Sequence, residues 1–243
     1  MNIDIDEVRK TTWEHYIQAK GNMELQEHRT VYAHSAISDV IPGFKAEKLE
    51  FGSYDKGNFA VLFVDMRRST ERAQKVGPKN TFLTMHIFLT ALLKVVEYYQ
   101  GKVIDIMGDG LMVFWGGEEA RMKEQMVKSI AIQHAGLCGR DMLKVREEVI
   151  NPIIASEGLG DPISIGVGVT FDSVIVTKIG TADSYDVKAF GDCINTACHY
   201  ANKTENRVKV SKKIKNDWPR GKGGLIQFHS SEDGESYYLE SKK

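Results

Sequence analysis

Apolar positions along this chain change their period several times, and the changes mark out its elements. From residue 1 to about 50, Val8, Trp13, Tyr16 and Ile17, then Leu25, Val31, Tyr32, Ala36 and Ile37, recur at helical spacing. The pattern breaks near Gly21 and stops at Pro42-Gly43, which predicts an arm of one or two helices over 1–50 ahead of a domain over 51–243. Asn58 to Asp65, NFAVLFVD, is an unbroken apolar run, the mark of a central strand covered on both faces. Met66 to Thr70 turns the chain, Ser69 or Thr70 supplies a cap for a short helix Glu71 to Val76, and a long apolar helix follows Pro78 from Asn80 to about Gln100. Val103 to Met107 and Leu111 to Trp115 are β-rich runs joined by Gly108-Asp109-Gly110, a hairpin whose glycines accept positive φ.

Glu118 to about Ile150 predicts a second long helix, with Met122, Met126, Ile130, His134 and Leu137 on one stripe and His134 as a packing residue. Residues 151–162 read as a loop, and Ile163 to Thr170 with Ser173 to Ile179 as another hairpin. Gly191 to Asn202 predicts a helix, Arg207 to Val210 a strand, and Leu225 to His229 with Ser236 to Glu240 a closing pair. The β-α-β-β-α-β order predicts an α+β, ferredoxin-like fold: an antiparallel-rich sheet with helices on one face and the other face free. Counting by two, Val103, Asp105, Met107 and Asp109 share one side of their strand, and Ile104 and Ile106 the other.

With 243 residues and 42% hydrophobic content the chain can bury a proper core. Its 32 basic and 33 acidic residues give a net charge of −1, so no overall field recruits nucleic acid or an anionic membrane. No apolar run approaches the ~20 residues of a membrane span, and no signal peptide is evident. Cys138, Cys193 and Cys198 lack metal-ligand spacing and read as packing residues in a reduced, cytoplasmic chain.

Asp65 and Asp109 end adjacent strands in this topology. Two hard carboxylates beside a turn with exposed N–H groups suit Mg²⁺ or Mn²⁺ with a triphosphate. Here the chain resembles a family: FAVLFVDMRRST, GKVIDIMGDGLMVFW and AFGDCINTACHYAN look like the metal, hairpin and Asn-helix motifs of class III nucleotide cyclases, over roughly Asn58 to Val210. The resemblance implies two metal ions per site on Asp65 and Asp109 with the backbone of Met66, and a phosphate cradle at Arg67, Arg68, Ser69 and Thr70. It also implies a homodimer whose sites are built from both protomers. Gly116-Gly117-Glu118-Glu119-Ala120 is similar to the signature of diguanylate cyclases, but that signature occupies the hairpin, which here belongs to Gly108-Asp109-Gly110.

Departures from the family pattern narrow the reading. The family has a transition-state Arg four residues after its Asn; this chain has Asn195 followed by His199, a shorter donor that lacks the permanent charge of Arg. No late triphosphate-binding Lys is evident. The base-reading positions fall on Asp105 and Lys188, an acceptor and a donor where an adenine reader has the reverse. That pair fits uracil, cytosine or guanine. The chain thereby resembles the bacterial pyrimidine cyclases of Pycsar anti-phage defence, which make cyclic UMP or cyclic CMP for a separate effector protein. The resemblance favours UTP slightly over CTP and implies that an aromatic ahead of the first strand, Tyr54 or Phe51, narrows the base pocket. A purine cyclase and an inactive nucleotide-sensing module are the competing expectations.

Overall fold

The computed structural model of the chain describes residues 3–25, 50–117, 124–181, 184–219 and 224–242. In order these form α1 (Ile5–Leu25), β1 (Tyr54–Met66), α2 (Ser69–Tyr98), β2 (Lys102–Met107), β3 (Gly110–Gly116), α3 (Glu124–Val145), α4 (Asn151–Ser156), β4 (Ile165–Thr181), β5 (Ser184–Phe190), α5 (Asp192–Asn202), β6 (Val208–Ser211), α6 (Lys212–Asp217), β7 (Ile226–Ser230) and β8 (Ser236–Ser241). One eight-stranded sheet runs β2-β3-β1-β4-β6-β8-β7, with β5 paired to the outer half of β4. The β4–β6 pair is parallel and the other pairs are antiparallel.

β1 is central because both of its faces are apolar. Ala60, Leu62, Val64 and Met66 enter the main core with Leu111, Val113, Val167 and Val169, and the helices α1, α2 and α3 cover that face as expected. Phe59, Val61 and Phe63 enter a second, smaller core with Phe114, Val174 and Val176. That face is not bare: Cys193, Ala197 and Ala201 of α5 lie on it. α2 is the one described helix long and apolar enough to cross a membrane, but Leu83, Ile87, Phe88, Leu92 and Val95 bury its apolar side in the core. It kinks at Gly77, whose φ of 78° precedes Pro78, so the predicted short and long helices are one bent element.

Four sequence expectations change. The arm helix runs through Gly21, and its buried stripe is Val8, Thr12, Tyr16 and Ala19, leaving Trp13 and Ile17 exposed. The predicted arm beyond Leu25 lies outside the described residues. On α3, Met126 and Ile130 are exposed and the core takes Ala131, Ala135, Cys138, Met142 and Val145, a stripe set by where the sheet lies; His134 packs as predicted, its Nδ1 3.0 Å from the Tyr99 carbonyl. Burial pushes the Cys138 thiol well above the usual range, as suits a packing cysteine. The supposed loop 151–162 begins as helix α4. Pro152 has no N–H to give, and the chain accommodates it by a π-turn over Arg146–Ile150 while Arg9 Nη2 of α1 donates to the Glu148 carbonyl at 3.1 Å. Tyr16 and Lys20 of α1 both reach Glu157 just beyond α4, at 2.5 and 2.8 Å. Finally, Ile163 to Ile179 holds no hairpin: β4 pairs with β1 in unbroken register from Met66↔Ile165 to Tyr54↔Thr177, and β1 carries it straight through the Asp172-Ser173 step.

Next to α5, β6 is tied to the β7–β8 turn by an ion pair in which the lysine is buried and the carboxylate is exposed. Lys209 of β6, 6% exposed, donates to Asp233 Oδ2 at 2.8 Å, and Asp233 Oδ1 accepts from Ser231 and from the Glu235 and Ser236 N–H groups. Although burial works against it, these donors hold the Asp233 carboxyl far below the carboxylate range. A depressed folded pKa stabilises above the unfolded value of about 3.9 and is lost as pH falls through and below it. Asp233→Asn is therefore expected to lower the melting temperature more at pH 7 than at pH 2–3, in parallel thermal melts; an equal loss at both pH values would remove the pair from the account.

Candidate functional site

Asp65 is the penultimate residue of β1, and strand alternation puts its side chain on the Phe63 side of the sheet. Across the ladder it faces Gly110, the first residue of β3. A Cβ at Gly110 would lie 3.1 Å from the Phe63 ring and 3.4 Å from Asp65 Oδ1, so the glycine keeps the space beside that carboxylate open. Gly108, at φ 62°, lets the chain turn tightly, and the Asp109 carbonyl accepts the Met66 N–H at 3.2 Å. Asp65 and Asp109 are thus brought together at one end of two adjacent strands.

The chain then turns through Arg67 and Arg68. The Arg67 N–H donates to the Ser164 carbonyl at 2.8 Å, and Arg68 takes the left-handed conformation at φ 55° as the residue capping α2. No side chain caps this helix start, which corrects the expected role of Ser69 or Thr70: the cap is a backbone twist, and both hydroxyls stay in the first turn. Arg68 is exposed beside a cleft of about 270 Å³ that Glu71, Lys75, Ser164 and Glu205 also line. Arg67 lines the same cleft but is engaged on its inner side. Its guanidinium pairs with the Asp65 carboxylate and reaches Asn202 at the end of α5.

Of the base-reading candidates, Asp105 lies on β2 two ladder steps from the row of Asp65, whereas Lys188 and Tyr54 lie on a row farther along the sheet. A β-bulge between Val103 and Asp105 shifts the register of β2, so that Asp105 faces Met112 while Val103 and Ile106 turn into the main core. The simple count by two fails here: Ile104 packs with Met112 in the second core, on the same face as Asp105. Lys188 sits on β5 opposite Thr177, which in turn faces Tyr54, so Tyr54 and Lys188 share one row across three strands. The Lys188 ammonium is 2.6 Å from Asp186, and its pKa is raised first by that bond and further by the charge of Asp105. Tyr54 is 70% exposed, whereas Phe51 bridges to Lys178 and carries its ammonium 4.6 Å above the ring. Eleven residues separate Tyr54 from Asp65 along β1, roughly 35 Å at strand rise.

α5 lies across β4 because two glycines let it approach. A Cβ at Gly166 would meet the Ala201 carbonyl at 2.0 Å, and one at Gly168 the Ala197 carbonyl at 2.0 Å. Thr170 Oγ1 donates to the Cys193 carbonyl at 2.8 Å, and burial pushes the Cys193 thiol up to about 11. With Cys193, Ala197 and Ala201 against the sheet, Asn195 and His199 stand exposed one turn apart on the outer side. Asn195 lies about 10 Å along the helix from Asn202. Within one chain, then, Asp65, Asp109 and Asp105 lie near one end of the β1–β3–β2 ladder, Asn195 and His199 stand on α5, and Lys188 and Tyr54 share a row toward the other end of β1.

Among the described residues no group of three or more His, Cys, Asp or Glu side chains gathers as a ready metal cage. The donor set still fits a hard dication. Asp65 already accepts a cationic group from Arg67, and ions of this class bind through one or two carboxylates with substrate phosphates and water completing the shell. Sequence reading missed Arg67's inward turn and the part played by Asn202. The Gly166-x-Gly168 spacing inside a strand was the available signal for the close approach of α5.

The model of the adenylate and guanylate cyclase catalytic domain matches residues 51–236. Over 132 residues the chain is 27% identical to a cytidylate cyclase of Escherichia coli, covering 53% of this chain and 28% of that protein. Over 240 residues it is 23% identical to an adenylate cyclase of Mycobacterium tuberculosis, covering 93% of this chain and 49% of that protein. The chain thus spans between about a quarter and a half of the length of these curated relatives. The crystal structure of the adenylyl cyclase CyaB from P. aeruginosa superposes with a TM-score of 0.66 at 17% identity, over 79% of this chain and 97% of that one.

Proposed function

Because the chain belongs to the family of adenylate and guanylate cyclase catalytic domains, we propose that it cyclises a pyrimidine nucleoside triphosphate, CTP or UTP, to the 3′,5′-cyclic monophosphate with release of pyrophosphate. The observation that carries the catalytic part is Asp65 set beside the Gly108-Asp109-Gly110 tip, next to a turn with Arg68 exposed. The pyrimidine part is supported by Asp105 and Lys188, an acceptor and a donor whose charges interact. The cytidylate cyclase among the relatives points the same way; the adenylate cyclase does not, so product identity decides.

In this reading Asp65, Asp109 and the Met66 carbonyl hold two Mn²⁺ or Mg²⁺ ions. Such ions lower the pKa of a bound hydroxyl and offset charge on a triphosphate and its leaving group. Arg68, with Ser69 and Thr70 in the first turn of α2, receives the triphosphate. Asn195 orients the ribose, and His199 stands where a transition-state cation is needed. Asp105 accepts a base N–H, Lys188 donates to a ring carbonyl or nitrogen, and Tyr54 narrows the pocket against purines. As the family resemblance implies, the complete site is assigned to a homodimer in which one protomer supplies Asp65 and Asp109 and its partner the rest. The cyclic product is assigned as a cytoplasmic second messenger of anti-phage defence, acting on a separate effector protein.

Purified protein with Mn²⁺ and ATP, GTP, CTP or UTP in separate reactions, with products identified by mass, tests this directly. A cyclic pyrimidine product and little cyclic purine is expected, and Asp105→Ala should erode that preference more than the total rate. A cyclic purine as main product would overturn the base assignment. His199 in the Arg position favours one rival, a domain that binds nucleotide without turnover. Saturable nucleotide binding with no product from any of the four would establish it.

A further inference from the structure

Arg67 does more in this molecule than stand beside a phosphate-binding turn. Its Nη2 pairs with Asp65 Oδ2 and also lies 3.2 Å from Asn202 Oδ1, while its Nη1 donates to the Asn202 backbone carbonyl at 2.6 Å. The Arg67 Nε is buried without a partner. A side chain with one donor left unsatisfied and the others divided between two elements is held by those two elements. One is the carboxylate at the end of β1; the other is the C-terminal residue of α5, the helix that carries Asn195 and His199.

We propose that Arg67 is a positioning latch that couples occupancy of the Asp65 carboxylate to the placement of α5. The inference rests on the metal reading above. A divalent cation on Asp65 and the guanidinium compete for the same oxygen and repel each other, so a cation weakens Arg67's hold on Asp65 and with it the bridge to Asn202. Beyond the helix's own backbone ladder and the packing of Ala201 on β4, the last turn of α5 makes three further bonds here: Lys203 N–H to the His199 carbonyl at 3.1 Å, Thr204 N–H to the Ala201 carbonyl at 3.4 Å, and Asn202 Nδ2 to Cys198 Sγ at 3.5 Å. Loosening of that turn is passed along one rigid helix to His199 and Asn195. In the proposed homodimer those two residues serve the partner's carboxylates, so cation binding in one site adjusts the other.

The test reads metal binding and backbone protection instead of turnover. Free Mn²⁺ is followed by its EPR spectrum as it is titrated against the wild-type chain, Arg67→Ala, Arg67→Lys, Asn202→Ala and Asp65→Ala, without nucleotide. Removing a unit charge ~5 Å from a dication, even in a medium as polar as water, predicts roughly tenfold tighter binding for Arg67→Ala. Arg67→Lys keeps the charge and should stay near wild type, which also covers the case of an alanine variant that does not fold. Asn202→Ala removes the Oδ1 acceptor but leaves the backbone carbonyl that also holds the guanidinium, and should tighten binding less. In hydrogen exchange, amides of residues 199–206 should exchange faster when Mn²⁺ saturates the wild type, and should be fast and insensitive to Mn²⁺ in Arg67→Ala. Mn²⁺ binding that depends on Asp65 but is unchanged by Arg67→Ala, or with no response at 199–206, overturns the latch alone. Binding unaffected by Asp65→Ala overturns the metal reading beneath it.

Discussion

Replacing Asp109 by Asn is expected to cut kcat/KM for cyclic nucleotide formation by roughly 10³-fold or more while leaving the melting temperature unchanged or slightly raised. Each ~1.4 kcal/mol of lost transition-state stabilisation is tenfold, and a metal ligand in a two-ion site carries several kcal/mol. Asn keeps the shape and the backbone, including the carbonyl that accepts the Met66 N–H, so the hairpin tip should not move. Asp65→Asn should abolish turnover equally but differ in stability. Its carboxylate answers a largely buried Arg67, and the amide leaves that guanidinium with Asn202 alone, a loss on the order of 1–3 kcal/mol. Paired activity assays and thermal melts separate the two effects. More than a tenth of wild-type activity in Asp109→Asn would remove it from the chemistry, and equal stability of the two variants would mean that Arg67 and Asp65 are not coupled.

Legibility from sequence followed the range of the signal. β1 could be read because NFAVLFVD is apolar on both sides, and the hairpin because Gly108 and Gly110 permit only a few turns. Both signals are local, and both position the carboxylates. What failed depends on a distant partner. Asp172-Ser173 looks like a turn, but β1 lies beside it and holds β4 straight through the pair. The bulge at Val103 to Asp105 has no Gly or Pro to announce it, and it turns Val103 into the main core and Ile104 into the second, against the count by two, while Asp105 keeps its side. The stripe of α3 rotated because helical periodicity states which residues share a face, and the sheet decides which face is covered. Arg67's bridge to Asn202 could not be read, because the two are 135 residues apart, a distance no local pattern spans.

Gly168→Val, at a position with no chemistry of its own, is expected to lower stability by about 3 kcal/mol or more, near 10 °C in melting temperature for a domain of this size. Any Cβ there would stand 2.0 Å from the Ala197 carbonyl and 2.8 Å from the Ala201 N–H. These are backbone atoms in the middle of α5, so no rotamer change relieves them; the helix must lift or the strand must bend. Lifting uncovers Phe59, Val61 and Phe63, which α5 helps to bury. Ala197→Gly should fail to rescue the variant, since it removes a side chain and leaves the obstructing carbonyl. Gly21→Ala is the matched comparison. It lies inside α1 with open space around the added carbon, and replacing a helical glycine should stabilise by about 0.5–1 kcal/mol. Whatever fraction of Gly168→Val remains folded should also be slow, because the helix displaced by the valine carries Asn195 and His199. Wild-type stability in Gly168→Val would mean that α5 does not pack on β4 as described, and the placement of Asn195 and His199 on its outer side would lose its basis.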